Sequence, residues 1–446
     1  MNRSECIRFD FTPDGSHADI PRLNQADMSR QLLGTCGLQW TELLNIVMCI
    51  YVADRLCPRS HRGLATGQRA IQVKIPVTDS LHWRRSEVQS ALSELVCWAT
   101  GDLWDFIFID VQPSSQIRET AFPFGPLHDS SASAAALYSG GLDSLAGLCM
   151  QLEASPATGP VLVSGFTTGY LLSLQRRQLD GIKDAVGRKL DRPIPNIVHL
   201  PFSFGMKNTT QREKSQRSRA LVFLTFGATV AASLGLQKLE VYENGIGALN
   251  LPLNATQSGV DNYRGVHPHT LLLFERLLKV ALDVDLQIEN PCLFMTKGDM
   301  CKSIASIKAG DSVGDTVTCD SFPLRLPNGV THCGHCTSCI LRRLSLRAAG
   351  LVPFDNHAQY QHDIFGEYQR LDQRSKFDTH LVRQQAWTFT KIINDEHPGA
   401  AACSQFPDLY MTLTELSVRL GESSSDITAH LVDLLSAYVA ECDQYL

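Results

Sequence analysis

The sequence holds no apolar run long enough to cross a bilayer, no surplus of basic charge, no internal repeat and no low-complexity tract. Its most apolar stretch, Ala220 to Leu236, falls short of the ~20 residues a spanning helix needs. It also carries Thr225, Thr229 and Ser233, so it reads as a buried core helix and no membrane association is expected. The opening Met1-Asn-Arg-Ser-Glu-Cys-Ile-Arg8 sets no apolar run behind its basic residues, so a secretory signal is not expected and the chain reads as cytoplasmic. A formal net charge of −6 gives no support to a general nucleic-acid or membrane-surface binder. In a reducing cytosol the 14 cysteines are not expected to form disulfides. Most are scattered singly among apolar residues, as free buried thiols are. Cys319, Cys333, Cys336 and Cys339 are grouped and need a separate explanation.

What is present is an ordinary globular composition, 44% apolar and 19% charged, over 446 residues, a length that suits two or three domains. Residues 1–130 read as an α+β unit. Ile71–Val77 and Leu103–Val111 have strand patterns, and 38–56 and 85–100 have an apolar helical face. The Pro/Gly/Ser/Ala stretch Phe124–Ala135 reads as a linker or long loop. From Ala136 to about 350 strands and helices alternate. Leu137-Tyr138 ends a strand before a helix at 142–153. Val161–Phe166, Ile197–Leu200 and Leu239–Tyr242 are further strands, and 174–190 and 216–236 are helices. Repeated βα units imply a parallel sheet with helices on both faces. Residues 351–446 read as a polar helical module, with two or three short helices over 411–446.

The segment Leu137-Tyr-Ser-Gly-Gly-Leu-Asp-Ser144 joins a strand to a helix. Gly140 and Gly141 lack Cβ and can bring backbone amides close to an anion, which the helix N-terminus also favours. Ser139 and Ser144 add hydroxyl donors. Asp143 cannot attract phosphate, so its expected role is to hold Mg²⁺. Leu142, Leu145, Ala146 and Cys149 seat the helix on the sheet. The segment lacks the Gly-Lys-Ser/Thr of a Walker A loop.

Cys333-Gly-His-Cys336-Thr-Ser-Cys339 is a CxxCxxC run, and Cys319 can supply a fourth ligand. Four thiolates around Zn²⁺ form a closed, structural site. Gly334 permits the tight turn between the first two sulfurs. Arg342, Arg343 and Arg347 follow at once and are placed to offset the cluster's negative charge. His332 or His335 is an alternative to Cys319 as a ligand.

The Ser-Gly-Gly-Leu-Asp-Ser loop resembles that of the PP-loop ATP pyrophosphatases. Followed by the cysteine pattern and Leu341-Arg342, it makes residues 137–350 similar to the QueC family of 7-cyano-7-deazaguanine synthases. The resemblance implies a Rossmann-like PP-loop sheet with a four-cysteine zinc site, using ATP, Mg²⁺ and Zn²⁺. Asp143, Arg219 and Lys297 match the family's catalytic positions. Ser139, Gly140, Gly141, Leu142, Asp143, Ser144, Phe166, Gln175, Arg176, Glu243 and Asp299 match positions that contact nucleotide or substrate. Arg219 departs from the family's PGRN motif, having Arg217-Ser218 before it and Ala220 after it. Chemistry gives these residues independent roles. A carboxylate is a poor electrophile until adenylation provides AMP as a leaving group. Arg219 and Lys297 would stabilise charge building on phosphate. One carboxylate, Glu243 or Asp261, can accept N1–H and the exocyclic amine of a guanine-like base together.

The long flanks resemble those of the QueC-like proteins of antiphage operons, in the Qat and type IV CBASS systems. That resemblance implies activation of 7-carboxy-7-deazaguanine and its amide linkage to the N-terminal amine of a partner protein. Ordinary nitrile synthesis from ammonia is the alternative, and a non-catalytic nucleotide-binding scaffold of a defence complex is another. tRNA thiolation needs a sulfur-carrying cysteine pair near the loop, where Cys149 stands alone. The tail has helix-turn-helix spacing at Leu413–Gly421 and Asp426–Leu435. Residues 405–446 carry seven acidic side chains against the single basic Arg419, so protein docking is expected there rather than DNA binding.

Overall fold

The structure, a computed structural model, describes residues 6–23, 37–59, 68–112, 132, 134–155, 159–166, 168–206, 213, 215–253, 263–322, 326, 329–366 and 372–446. Asp261 and most of the Phe124–Ala135 stretch lie outside the described residues.

Among the described residues, nine strands form two sheets. β1 (Ile7–Asp10), β3 (Ala70–Val77) and β4 (Leu103–Asp110) make a parallel three-stranded sheet in the order β1-β3-β4. Its middle strand alternates cleanly, with Ile71, Val73, Ile75 and Val77 buried. The larger sheet has the order β2-β7-β6-β5-β8-β9, built from β2 (Pro21–Leu23), β5 (Ala135–Leu137), β6 (Val161–Phe166), β7 (Val198–Met206), β8 (Lys238–Glu240) and β9 (Gln287–Glu289). All its pairs are parallel except β2–β7, in which Leu23 faces Phe204. β6 is buried along almost its whole length, as a strand covered on both faces must be. Helices Leu142–Ala154, Gly169–Asp184 and Lys297–Ser306 pack one apolar cluster with this sheet. Helices Arg219–Ser233 and Pro268–Leu282 share another with it. The expected α/β architecture with a parallel sheet is therefore present. The helix Pro268–Leu282 and the edge strand β9 are additions to the elements expected from the sequence. Pro268 starts that helix, where its missing N–H costs nothing.

β5 is flanked by β6 on one side and β8 on the other, with the chain returning between them through β7. That is where the strand order reverses, and ligands of open α/β sheets bind at the carboxyl ends of the strands there.

The three-stranded sheet and its helices, Leu38–Leu56 and Ser86–Thr100, share one continuous apolar cluster with the Arg219–Ser233 face of the larger sheet. A buried ionic network reinforces the join. Arg69 lies 2.5 Å from both Asp54 and Asp102, and all three side chains are almost wholly buried. Asp54 also accepts from the amide and, at 2.6 Å, the hydroxyl of Ser218, the residue just before Arg219. C-terminal helices Gln373–Ile393, Pro398–Gln405, Asp408–Leu420 and Ser424–Tyr445 build a separate apolar cluster with Ile340 and Leu344. No helix among the described residues is long and apolar enough to cross a membrane.

Removing one member of a buried ion pair leaves the other uncompensated, at a cost of about 3–5 kcal/mol. Asp54→Ala is therefore expected to lower the urea midpoint by a corresponding amount. A variant that unfolds like the parent would show that the network contributes nothing.

Candidate active site at the strand-order reversal

The loop after β5 is held from beneath by side chains of the Gly169–Asp184 helix. Leu174, Leu179 and Ile182 seat that helix, and Gln175 and Gln178 occupy buried positions on the same face. Gln175 Nε2 donates to the Ser139 carbonyl at 3.1 Å, and Gln178 Nε2 to the Gly140 carbonyl at 3.0 Å. The buried Tyr138 hydroxyl donates to Gln178 Oε1. Gly140 has φ +80°, and a Cβ there would press on Gln175 Cγ, so glycine is required on both counts. The Gly140 amide donates to Ser144 Oγ at 3.1 Å and the Gly141 amide to Ser139 Oγ at 3.1 Å. Amides and hydroxyls thus converge at the start of the Leu142–Ala154 helix, where an anion is favoured.

Three further elements meet this loop. Lys297, first residue of its helix, places Nζ 2.6 Å from Asp143 Oδ2, with both side chains largely buried. Asn244, after β8, donates from Nδ2 to Asp143 Oδ1 at 3.1 Å and to Glu243 Oε1 at 2.7 Å. Asn290, after β9, clasps the Glu243 backbone through its carbonyl and amide. Burial, with Asp143 nearby, pushes the Glu243 carboxyl up to about 8, and Lys297 opposes the shift. Burial alone would depress the Lys297 ammonium, but Asp143 and Glu243 outweigh it and hold it up.

Arg219 opens the Arg219–Ser233 helix. Its Nε is buried with no hydrogen-bond partner among the described residues, and the guanidinium rests over Phe223, 5.2 Å from the ring centroid. Phe166 ends β6, partly exposed, beside the strand that carries the loop. Arg176 is exposed while its neighbour Gln175 turns inward. Asp299 closes a capping box with Thr296 and pairs with Lys302 at 2.7 Å. Gln178, Asn244 and Tyr138 were missed by sequence reasoning. A pair of glutamines three apart on the apolar face of a helix was the available signal for Gln178.

The sulfurs of Cys319, Cys333, Cys336 and Cys339 all lie within 4.8 Å of one another. The Cys333–Cys339 separation of 3.9 Å is close to the ~3.8 Å edge of a tetrahedron with Zn–S bonds of ~2.3 Å. The Cys333 amide donates to Cys319 Sγ and the Cys336 amide to Cys333 Sγ, each at 3.3 Å, which favours thiolates. The residues fit a structural zinc. His332 is stacked on Tyr360 and bonded to Thr331, and His335 faces Asp378, so neither replaces a cysteine. The arginines that follow make their direct contacts with groups other than the cysteine sulfurs. Arg342 is buried and bonds Thr316, the Val313 carbonyl and Tyr360. Arg343 pairs with Asp363, and Arg347 covers Phe365. The cluster also touches the loop indirectly. Val317, two residues before Cys319, donates its amide to the Gly140 carbonyl at 3.3 Å, and Gln178 reaches the Asp315 carbonyl at 2.7 Å.

With this geometry in place, comparison with known proteins is specific. The QueC family, described as queuosine biosynthesis protein QueC, matches residues 205–350. That span contains Arg219, Glu243, Lys297 and all four cysteines, and begins after the glycine loop. The chain is 25% identical over 235 residues to the 7-cyano-7-deazaguanine synthase of Pelobacter propionicus, covering 49% of this chain and 95% of that protein. It is 28% identical over 134 residues to the 7-cyano-7-deazaguanine synthase of Chromobacterium violaceum, covering 30% of this chain and 49% of that protein. The chain therefore carries a QueC family domain with 7-cyano-7-deazaguanine synthase homologues at low identity.

Gly334 has φ +82°, and a Cβ there would overlap the His362 carbonyl. Gly334→Ala should cost more than the ~1–2 kcal/mol of the left-handed backbone alone, read as a lowered melting temperature. Elemental analysis of the purified protein should give one zinc per chain, and Cys339→Ser should reduce that content. Full zinc retention in the serine variant would contradict a four-cysteine site.

Proposed function

We propose that this protein uses ATP to adenylate 7-carboxy-7-deazaguanine and then joins the acyl group to an amine, that of a partner protein's N-terminus, in antiphage defence. In this reading it is a cytoplasmic C–N ligase that releases pyrophosphate and AMP. Residues 136–350 form the catalytic unit, 1–130 and 351–446 are accessory units, and nucleic acid has no part. The observation that carries the reading is the convergence of Asp143, Lys297, Asn244 and Glu243 beside the glycine loop at the strand-order reversal.

The residues divide the work by chemistry. The amides of Gly140 to Leu142 and the hydroxyls of Ser139 and Ser144 would take the leaving pyrophosphate, held in shape by Gln175 and Gln178. Lys297 and Arg219 would neutralise charge as the α–β bond breaks, since fixed cations in a dry site act most strongly where charge develops. Asp143 would hold Mg²⁺, which supplies charge neutralisation on phosphate. Glu243, with Asn244 donating to one oxygen, would in its ionised form accept the N–H pair of a guanine-like edge, and Phe166 would contact the nucleotide. Zinc, bound by the four cysteines, would be structural. The defence role draws on the resemblance of the flanks. It is also supported by length, since a relative's sequence is 95% covered by 49% of this chain. Ammonia needs no such additional protein, whereas a macromolecular acceptor does.

Exchange of labelled pyrophosphate into ATP tests adenylation directly. It is expected only when 7-carboxy-7-deazaguanine is present. Lys297→Met should lower it about 10²–10³-fold, the usual scale for one lost electrostatic contact, without loss of zinc. No exchange with any deazapurine carboxylate would sink the reading. Efficient nitrile formation from ammonia, with no partner required, would return the chain to ordinary synthase chemistry.

A further inference from the structure

Lys297, Asn244 and Glu243 have a second face. They help line a cavity of about 240 Å³ that extends from them to the C-terminal helices. The opposite wall is Tyr438, Glu441 and Cys442 of the Ser424–Tyr445 helix. The rest of the lining is mixed, apolar at Ile246, Leu251, Leu341 and Leu344 and polar at Ser338, Ser345 and Gln385. This wall lies beyond residue 350, where the family match ends.

Glu441 does not sit there by chance of packing. The Thr296 hydroxyl donates to its Oε1. Thr296 is the cap of the Lys297–Ser306 helix, so the carboxylate faces that helix's positive end. Gly298 leaves it the room, because a Cβ there would overlap the carboxylate. Oε2 has no hydrogen-bond partner among the described residues, and this oxygen belongs to a residue that lines the cavity. Burial is the main cause that holds the carboxyl up at about 7, with Thr296 and Lys302 opposing and Asp299 assisting. A group in that range exchanges protons readily at neutral pH.

We infer that this cavity receives the nucleophile, a primary amine carried on a short chain, and that Glu441 takes the proton the amine gives up. The inference rests on the adenylation reading above. In the step, the amine nitrogen bonds to the carbonyl carbon of the acyl adenylate. The bond from that carbon to the phosphate oxygen breaks, its electron pair leaving with AMP, and the proton lost from nitrogen passes to the Glu441 carboxylate. Size argues against ammonia as the intended guest, since a molecule as small as water needs only ~10–15 Å³ of such space. The apolar part of the lining suits the carbon chain behind the amine, and the Glu441 carboxylate suits its N–H. The C-terminal helices would thus complete the acceptor site rather than merely decorate the domain.

The test separates the two half-reactions in the full-length protein. Pyrophosphate exchange reports adenylation, and amide formation is followed with ammonia, glycinamide, a short peptide with a free N-terminus and the same peptide N-acetylated. Glu441→Gln should lower the ratio of amide formation to exchange about 10²-fold, as loss of a general base does. Ser345→Leu, which narrows the cavity from its side, should penalise glycinamide and the peptide while sparing ammonia. The acetylated peptide should not react. Preference for the peptide over glycinamide assigns the chain to a polypeptide, and the reverse order to a small amine. An unchanged ratio in Glu441→Gln, or an equal loss in both half-reactions, would overturn the inference and leave adenylation standing. Absence of exchange in the parent protein would overturn both.

Discussion

The ion pair between Lys297 and Asp143 is the constraint on which the rest of the site depends. Its partners are 154 residues apart in the chain, and it draws the Lys297–Ser306 helix onto the glycine loop. Asn244 joins the pair from β8 and hands Glu243 its orientation. Both charges are largely out of water, so neither is stable there without the other. The pair is also well placed to be divided. A phosphate group would compete with Asp143 for the lysine, and a divalent cation would compete with Lys297 for the aspartate. Charges stored as a neutral pair become available when a ligand carrying both kinds arrives.

Local regularities made part of this legible in the sequence. Alternation in Ile71–Val77, the apolar run Val161–Phe166 and the strand–glycine–helix order at 137–144 each depend on neighbours along the chain. The four cysteines were legible because ligand spacing is itself a local pattern. Neighbours in sequence were a poor guide to side-chain partners. Arg342 and Arg343 looked like counter-charges because they follow the cysteines, but their helix turns them into the protein toward Thr316 and Asp363. Asp299 looked like a ligand contact because of its neighbour Lys297. The Thr296-x-x-Asp299 spacing already marked a helix cap. Asn244 and Glu441 gave no local signal, since each acquires its surroundings only from elements far away in sequence.

The flanking regions contribute in different ways. The amino-terminal residues extend the apolar core and place Asp54 under Ser218, so the approach to Arg219 is set by a carboxylate from outside the family match. A buried hydroxyl–carboxylate bond thus holds the turn before this arginine. The carboxyl-terminal helices reach the other side of the site through Glu441 and Tyr438.

The short strip from Asp315 to Cys319 serves two masters. One end carries a sulfur of the cysteine cluster. The middle, at Val317, holds the carbonyl of the glycine whose left-handed backbone shapes the loop. Ordering this strip once serves both ends. A metal in the cysteines would therefore favour this loop conformation, and by thermodynamic reciprocity an anion that favours the same conformation would favour retention of the metal by the same factor. A site closed in its coordination would thus share in the free energy of whatever ligand the loop takes.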